Sequence, residues 1–149
     1  MITISVDTSQ FDKKLADFPA AMARAQKRAL PEIGQAVQSR STLAFRTPQL
    51  RPSDWPPRKP SKRDDGHQLL IKSGSMRQSI NWKLEGSDTV VIGTDKKYAP
   101  YHQHGTKHMP ARPFFPVDQA GNLVPDMNSK LNRMVEKIYA EEIEKLGAG

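Results

Sequence analysis

Apolar residues recur at helical spacing in the first third of the chain. From Phe11 to Met22 they are spaced by four, three and four residues, after an Asp-Thr-Ser run whose side chains suit an N-cap. Apolar steps continue to Phe45, so the pattern predicts a helical N-terminal region. Proline suits a first turn better than a helix interior. We therefore expect Pro19 to divide this region into a short and a longer helix, and Pro31 to add a kink or a second break.

The last third of the chain has the most regular helical period. Apolar residues from Leu131 to Leu146 follow the i, i+3, i+4 pattern, residues 122–126 predict a loop before them, and Gly147 is a natural C-terminal stop. Charged residues fall outside the apolar stripes of both helical regions. We expect solvent to cover these charged faces, which carry Arg24, Lys27, Arg28 and Arg40 in the first region and Glu141, Glu142 and Glu144 in the last.

Between the two helical regions the period changes to that of strands. Residues 2–6 (ITISV) and 89–93 (TVVIG) predict short strands, and Gly86-Ser87-Asp88 predicts a turn before the second of them. Residues 69–84 predict a short helix that starts near Ser73 or Ser75. Residues 98–103 fit a strand or a short helix, and residues 110–117 an extended segment with Phe114 or Phe115 in the core. The expected class is α+β: one domain, 1–149, in which long N- and C-terminal helices pack a small antiparallel sheet.

Residues 46–68 interrupt these periods with five prolines, which exclude regular structure. A loop of this length is usually functional or disordered. Trp55 in its middle predicts docking, either onto the chain's own domain or onto a partner. Basic residues dominate the segment as far as Asp64: Arg46, Arg51, Arg58, Lys59, Lys62 and Arg63.

Composition limits the chemistry. Among 149 residues there is no cysteine, which excludes disulfides, thiolate metal sites and cysteine nucleophiles. No run of eighteen apolar residues predicts a membrane span, and the N-terminus lacks a signal-peptide pattern, so we expect a soluble cytoplasmic protein. The net charge of +7 favours an acidic partner such as nucleic acid, although a basic protein without such a partner has the same composition.

The histidine-rich stretch 98–115 (YAPYHQHGTKHMPARPFF) raises the question of a metal site. His102, His104 and His108 have ligand-like spacing, but no carboxylate lies between Asp95 and Asp118. A surface or hydrogen-bonded histidine loop is the favoured interpretation, and only His67 would supply a fourth ligand. No nucleophile motif and no glycine-rich phosphate loop is present, so the sequence predicts a protein that is not an enzyme.

Four motifs in fixed order carry a family resemblance. They read LIKSGSMRQSI at 70–80, VVIGT at 90–94, YAPYHQHG at 98–105 and PARPF at 110–114. In this order they resemble the virion morphogenesis, or tail-completion, proteins of tailed bacteriophages, of the Mu-like type. The resemblance implies a non-enzymatic assembly protein without cofactors, which completes the head-proximal end of the tail and joins it to the head. It implies as partners the tail tube, the head connector and further copies, often six to a ring around the DNA channel, and no membrane. The expected location is the tail or neck of the virion, after assembly in the host cytoplasm.

The resemblance also implies structural roles for single residues of these motifs. Gly74 belongs to the first motif, and Gly93 and Gly105 would allow positive φ angles or close backbone approach. Tyr98 and Tyr101 would pack under the sheet edge with their hydroxyls on polar partners.

The last motif and the basic loop have alternative partners. Arg112 would cap carbonyls or pair with a carboxylate on a neighbour, and Phe114 would anchor the last strand in the core. For Tyr98, Gly105 and Phe114, packing within the chain is favoured over contact with a partner. Residues 51–63 would order only on assembly and face either packaged DNA or an adjacent ring. The alternative function is a small nucleic-acid-binding protein that uses residues 46–63, with Trp55 stacking on a base.

Overall fold

The computed structural model describes residues 5, 9–59 and 74–147, with residues 9–15 described by their backbone alone. Its helices are α1 (Ser9–Ala44), α2 (Ser75–Ser79), α3 (Ala99–His104) and α4 (Pro125–Gly147), with a short 3-10 helix at Pro48–Leu50. Its strands are β1 (Asn81–Glu85) and β2 (Thr89–Gly93). The long helices at the two ends pack together and α1 also packs on the strands, which confirms the α+β class.

The prediction that Pro19 divides the N-terminal helix is wrong. Of the kink or second break expected at Pro31, the break is wrong. Helix α1 continues through both prolines. A proline inside a helix removes one hydrogen bond, and here other terms outweigh that loss. Pro19 lies among alanines, which have the best helix propensity. Pro31 lies between Ala29 and Ile33, which both pack against α4.

Helices α1 and α4 run antiparallel along an apolar seam with charged pairs at both ends. Ile138 packs between Ala25 and Ala29 near one end, and Val37 packs with Met127 and Leu131 near the other. The buried alanines are four residues apart, which places them on one helix face and lets the backbones approach closely. This packing confirms the C-terminal helix predicted from the apolar period, although the helix begins at Pro125, inside the predicted loop.

The strands form an antiparallel hairpin on the C-terminal half of α1. Asn81 pairs with Gly93 and Glu85 with Thr89, and residues 86–88 form the predicted turn, with Gly86 at φ 64°. Strand β2 is confirmed at its predicted bounds. The helix predicted over 69–84 is wrong beyond residue 79, where α2 ends. From residue 81 onward the chain forms β1, which pairs with β2. Residues 69–73 of that prediction lie outside the described residues, as does the strand predicted at 2–6 apart from Ser5.

One compact apolar cluster lies where the hairpin, α3 and the end of α1 meet. It consists of Phe45, Trp55, Met76, Ile80, Ala99 and Phe114, with Ile92 and Phe115 packed against it. Phe114 is fully buried within it, as the sequence predicted, on an irregular segment rather than a strand. This cluster therefore joins residues from the basic loop, the hairpin and the motif at 110–114. Among the described helices, none is both long enough and apolar enough to cross a membrane.

Candidate functional site

The first half of the basic loop is anchored to the domain by Trp55. Its side chain is only 8% exposed and meets Phe45 edge to face, with ring centroids 5.8 Å apart. The indole Nε1 donates a hydrogen bond to the Pro113 carbonyl at 2.7 Å. Buried tryptophans commonly satisfy their single donor in this way. Of the two docking partners considered for Trp55, the structure shows the chain's own domain.

Arg51 closes the end of α1 and covers Trp55. Its Nε and Nη2 donate to the carbonyls of Ala44 and Phe45, which lie at the end of α1, where carbonyls lack partners within the helix. Its guanidinium carbon lies 3.7 Å from the centroid of the Trp55 ring, a cation–π contact. Partial burial lowers the pKa of Arg51, and nearby Asp54 acts in the opposite direction. Arg51 is thus used within the domain.

Arg112 holds the loop from the other side. Its Nε donates to the Pro56 carbonyl at 2.9 Å and its Nη2 to the Pro57 carbonyl at 3.1 Å. Of the two roles predicted for Arg112, carbonyl capping is the one observed. Together with Trp55 and Arg51 it forms a clasp, the Arg51–Trp55–Arg112 clasp, which fixes residues 51–57. The expectation that residues 51–63 order only on assembly is therefore wrong for 51–57.

The remaining basic residues of the loop fall into two groups. Arg46, Arg58 and Lys59 are exposed, the last two directly after the clasp. Lys62 and Arg63 lie outside the described residues. In the described part of the loop, exposed positive charge thus lies before the clasp, at Arg46, and directly after it, at Arg58 and Lys59. Trp55 cannot stack on a base without leaving the core.

The tyrosines of the histidine-rich stretch do not pack under the sheet edge as predicted. Tyr98 is 42% exposed and Tyr101 55% exposed, because the stretch forms helix α3 and turns these positions outward. Ala99 is the residue of α3 that is buried. Tyr98 contacts the ring of His102 edge to face. The choice between strand and helix for this stretch is thereby resolved in favour of the helix.

The three histidines of this stretch differ in their burial. His104 and His108 are exposed, whereas His102 is half-buried and its Nδ1 is buried without a hydrogen-bond partner. Burial, assisted by the charge of Arg112, lowers the pKa of His102 and favours its neutral form at pH 7. Within the described ranges no three histidine or acidic side chains are grouped so as to hold a metal ion. His67 lies outside those ranges.

The three glycines of the family motifs differ in what they do. Gly105 ends α3 with φ 72° and ψ 174°, and a Cβ there would lie 2.8 Å from the Ala111 nitrogen. Gly74 precedes α2 with φ 69°. The role predicted for Gly93 is wrong, since its φ is not positive and a Cβ there would have no neighbour within 4 Å. Gly93 simply ends β2 in ordinary strand geometry.

Gln103 is a structural residue that the sequence analysis missed. Its Oε1 accepts hydrogen bonds from the backbone nitrogens of both Phe114 and Phe115. Arg112 N adds a third bond, to the His102 carbonyl at 2.7 Å. These bonds attach the PARPF motif to α3, and together with the clasp they make residues 98–117 the joint between loop and core. A lone glutamine within a histidine-rich run gives no sequence signal for such a role.

Glu142 lies in a different environment from the one that its helical position predicted. It was expected on a solvated face, but it is only 1% exposed. Its carboxylate accepts hydrogen bonds from Arg28 at 2.8 Å, Lys145 at 3.0 Å and Arg24 at 3.2 Å. Arg28 also pairs with Glu141 at 2.7 Å. Thus α1 and α4 are joined by a charge cluster around one buried carboxylate.

Other charges on these helices were also misplaced. Arg40 was expected in solvent, but its side chain is 12% exposed, donates to the Leu50 carbonyl and pairs with Asp126 at 2.7 Å. Arg28 is likewise partly buried. Lys27 and Arg24 are exposed as predicted, although Arg24 also reaches Glu142. A helical period identifies a polar face but not whether another helix faces it.

Glu142 makes a definite prediction about acid stability. Hydrogen bonding from Arg28, then from Lys145 and Arg24, lowers the pKa of Glu142 from 4.5 to about 2. A carboxyl whose pKa is lower in the folded state stabilises that state above its unfolded pKa, and loses this contribution as pH falls towards the folded value. We therefore expect the melting temperature to fall between about pH 4.5 and pH 2.

The matched variants are Glu142→Gln and Glu144→Gln, and the measurement is the melting temperature from pH 7 to pH 2. Glu142→Gln should melt lower at pH 7 and show a flatter decline in acid. Glu144 is exposed on the same helix, and its variant should follow the parent. Parallel acid profiles for the parent and Glu142→Gln would contradict the assignment of this step to Glu142.

Comparisons with known proteins add one positive finding. A sequence profile of the phage virion morphogenesis family matches residues 6–134, which is most of the chain. No curated protein matches the chain, and no solved structure does. The matched range includes the clasp, the hairpin and the joint at 98–117.

Proposed function

From the membership of this chain in the phage virion morphogenesis family, we propose that it completes the head-proximal end of a phage tail and joins the tail to the head. In this proposal it acts as a ring of identical subunits around the DNA channel, without an enzymatic step and without a cofactor. Its partners are the tail tube, the head connector and its own neighbouring copies. The family match over residues 6–134 is the observation that carries the proposal.

The structure supports this proposal through what the motifs do. Gly105, Arg112 and Phe114 all serve to hold the domain together. A surface cleft of about 850 Å³ lies between α2, the hairpin and residues 94–96, with polar and apolar side chains in its lining. In the proposal this cleft is open to a partner protein.

The test is complementation of a phage lysate that lacks the functional gene. Without the protein we expect filled heads and separate tails, seen by electron microscopy, and few infectious particles. Addition of the purified protein should yield joined particles and restore infectivity. Lysates in which heads and tails join equally well without the protein would overturn the proposal.

A charge-reversal pair tests whether the basic loop contributes. Lys59→Glu changes an exposed residue directly after the clasp, and Lys130→Glu makes the same charge change at an exposed position of α4. If the loop meets DNA in the channel or an acidic neighbour, Lys59→Glu should reduce joining and Lys130→Glu should not. Equal activity of both variants would remove Lys59 from the proposed contact.

The rival function is binding of nucleic acid by the free protein. It predicts duplex binding whose affinity falls steeply with salt, and each substitution that removes a cation bound to a phosphate should reduce the salt slope by about 0.9. The inward position of Arg51 and Trp55 weighs against this function, because the loop's aromatic residue is already used in the core. Tight duplex binding by the monomer at physiological salt, with no effect on head–tail joining, would establish the rival.

A further inference from the structure

The hairpin has two outer edges, and among the described residues neither β1 nor β2 has a backbone partner on its outer edge. Strand β1 is the more exposed of the two strands. Four of its five residues are exposed, whereas four of the five in β2 are partly buried. Its ladder bonds all go to β2, and within the described part of the chain no other backbone–backbone hydrogen bond involves residues 81–85. The Trp82 nitrogen also donates to Oδ1 of the neighbouring Asn81 side chain at 2.9 Å, a local bond that an added strand would replace or share. An isolated two-stranded sheet is marginal in water, and an open edge is a template for another strand.

The exposed edge carries side chains of two kinds on its two faces. Trp82 and Leu84 point towards the α1 side of the hairpin, and Leu84 remains 47% exposed there. Asn81, Lys83 and Glu85 point to the other face, where Lys83 and Glu85 form an ion pair at 3.5 Å. A strand that completes this edge should therefore alternate apolar and uncharged polar residues.

Residues 2–6, ITISV, have that alternation. Ile2, Ile4 and Val6 would continue the face of Trp82 and Leu84, and Thr3 and Ser5 the polar face. All five residues have high strand propensity or small polar side chains, and none is charged or proline. Within the chain, Ser5 is exposed and belongs to no regular element. The segment thus matches the open edge in period and in chemistry.

The geometry of α1 prevents this segment from reaching its own β1. Trp82 lies against Gly34, and twenty-five residues of helix separate Gly34 from Ser9, which is about 38 Å. Val6 is three residues from Ser9 and reaches about 10 Å from it even when fully extended. Glu85, at the end of β1, lies at most about 10 Å nearer to Ser9 than Trp82 does, even if β1 runs directly towards Ser9. Ile2, the other end of the segment, lies seven residues from Ser9 and reaches about 24 Å, so at most this tip approaches β1 of its own molecule. A ladder along the whole of residues 2–6 must therefore join two molecules.

The start of α1 projects in a way that suits such a connection. Glu142 faces Arg24 and Arg28, and α4 ends five residues later at Gly147. About twelve residues of α1, roughly 18 Å, consequently extend beyond α4. Residues 16–20 in this projection are all exposed, including Phe18 at 42%. The first turns of α1 therefore extend away from the body of the molecule.

We propose that residues 2–6 of one copy add as a third strand to the outer edge of β1 in a second copy. The exchange is head-to-tail, because the donated segment and the accepting edge are different surfaces, so repetition of it closes a ring or continues as a filament. It deepens the self-association in the proposed function and depends on no tail or head protein. Each added subunit would bury Leu84 and pair backbone groups of β1.

Cysteine cross-linking tests the exchange, because the native chain has no cysteine. Ser5→Cys protein is mixed with Lys83→Cys protein or with Glu85→Cys protein, and the mixture is oxidised and analysed on a non-reducing gel. We expect the mixed disulfide dimer in either or both mixtures, since these side chains share the polar face. Ser5→Cys mixed with Ser129→Cys, an exposed position on α4, is the control and should give no such band above background.

The outcome of cross-linking decides the proposal. No mixed dimer, or a disulfide that forms only within a Ser5→Cys/Lys83→Cys double variant and not between copies, would overturn it. A second variant avoids dependence on cysteine geometry. Ile4→Pro removes a backbone donor from the donated strand and should weaken self-association in sedimentation by at least about tenfold, whereas Ile4→Val should not.

The two proposals fail in different ways. Self-association that is unchanged by Ile4→Pro would overturn the strand exchange, even in a protein that restores head–tail joining. Conversely, a protein that forms the cross-link but leaves heads and tails separate would keep the exchange and overturn the joining function.

Discussion

Replacement of Trp55 with alanine is expected to lower the free energy of unfolding by about 3–5 kcal/mol, the range for large-to-small changes at buried aromatic positions. Trp55 is 8% exposed in the cluster with Phe45 and Phe114. The change removes the edge-to-face contact, the hydrogen bond to the Pro113 carbonyl and the ring beneath Arg51. In a chain of this length the melting temperature should fall by roughly 10 °C.

Trp55→Phe tests the contribution of the aromatic ring separately from that of the Nε1 hydrogen bond. Phenylalanine retains an aromatic ring for Phe45 and Arg51 but leaves the Pro113 carbonyl without its partner, so we expect a smaller loss of about 1–2 kcal/mol. Denaturant unfolding followed by circular dichroism measures all three proteins. If Trp55→Ala unfolds at the same denaturant concentration as the parent, the loop does not depend on Trp55 for its place on the domain.

The clasp also explains why the loop could be only partly predicted. The prolines correctly indicated that residues 46–59, the described part of the segment, have no regular structure apart from a single 3-10 turn at Pro48–Leu50. They gave no information on its partners, because the acceptors of Arg51 and Arg112 are backbone carbonyls, which every residue carries. A basic residue that caps carbonyls within its own domain looks the same in sequence as one that meets DNA.

The spacing of apolar residues predicted the structure best for elements that bury a single face. It placed α4 and β2, because each of these elements has a single buried face. For the core residue of 110–117 it left Phe114 or Phe115 open, and the family resemblance pointed to Phe114. It also predicted the helical region of α1, where the breaks expected at the prolines were wrong because packing along α4 outweighs the local cost of Pro31. It failed for Glu142, since a buried carboxylate between two helices depends on cations from a distant part of the chain. Such contacts arise from the topology, not from local propensity.

Replacement of Gly105 with alanine is expected to destabilise the protein by about 2–5 kcal/mol. Gly105 has φ 72° and ψ 174°, a conformation that only glycine adopts readily and that costs other residues about 1–3 kcal/mol. A Cβ would lie 2.8 Å from the Ala111 nitrogen and 2.9 Å from the Met109 carbonyl oxygen. Both are backbone atoms next to the Thr106–Met109 bridge, so neither moves without disturbing it, and overpacking adds a further penalty.

Gly93→Ala is the matched control, because both glycines belong to the family motifs and only Gly105 is constrained. At Gly93 the added methyl group meets no atom within 4 Å and φ is not positive. We expect Gly93→Ala to change the free energy of unfolding by less than about 1 kcal/mol, with a sign set by the lower entropy of the unfolded chain. Equal losses for the two variants would mean that the turn at Gly105 does not hold the PARPF motif against α3. A large loss for Gly105→Ala alone would show that the histidine-rich stretch owes its glycine to backbone geometry within the domain.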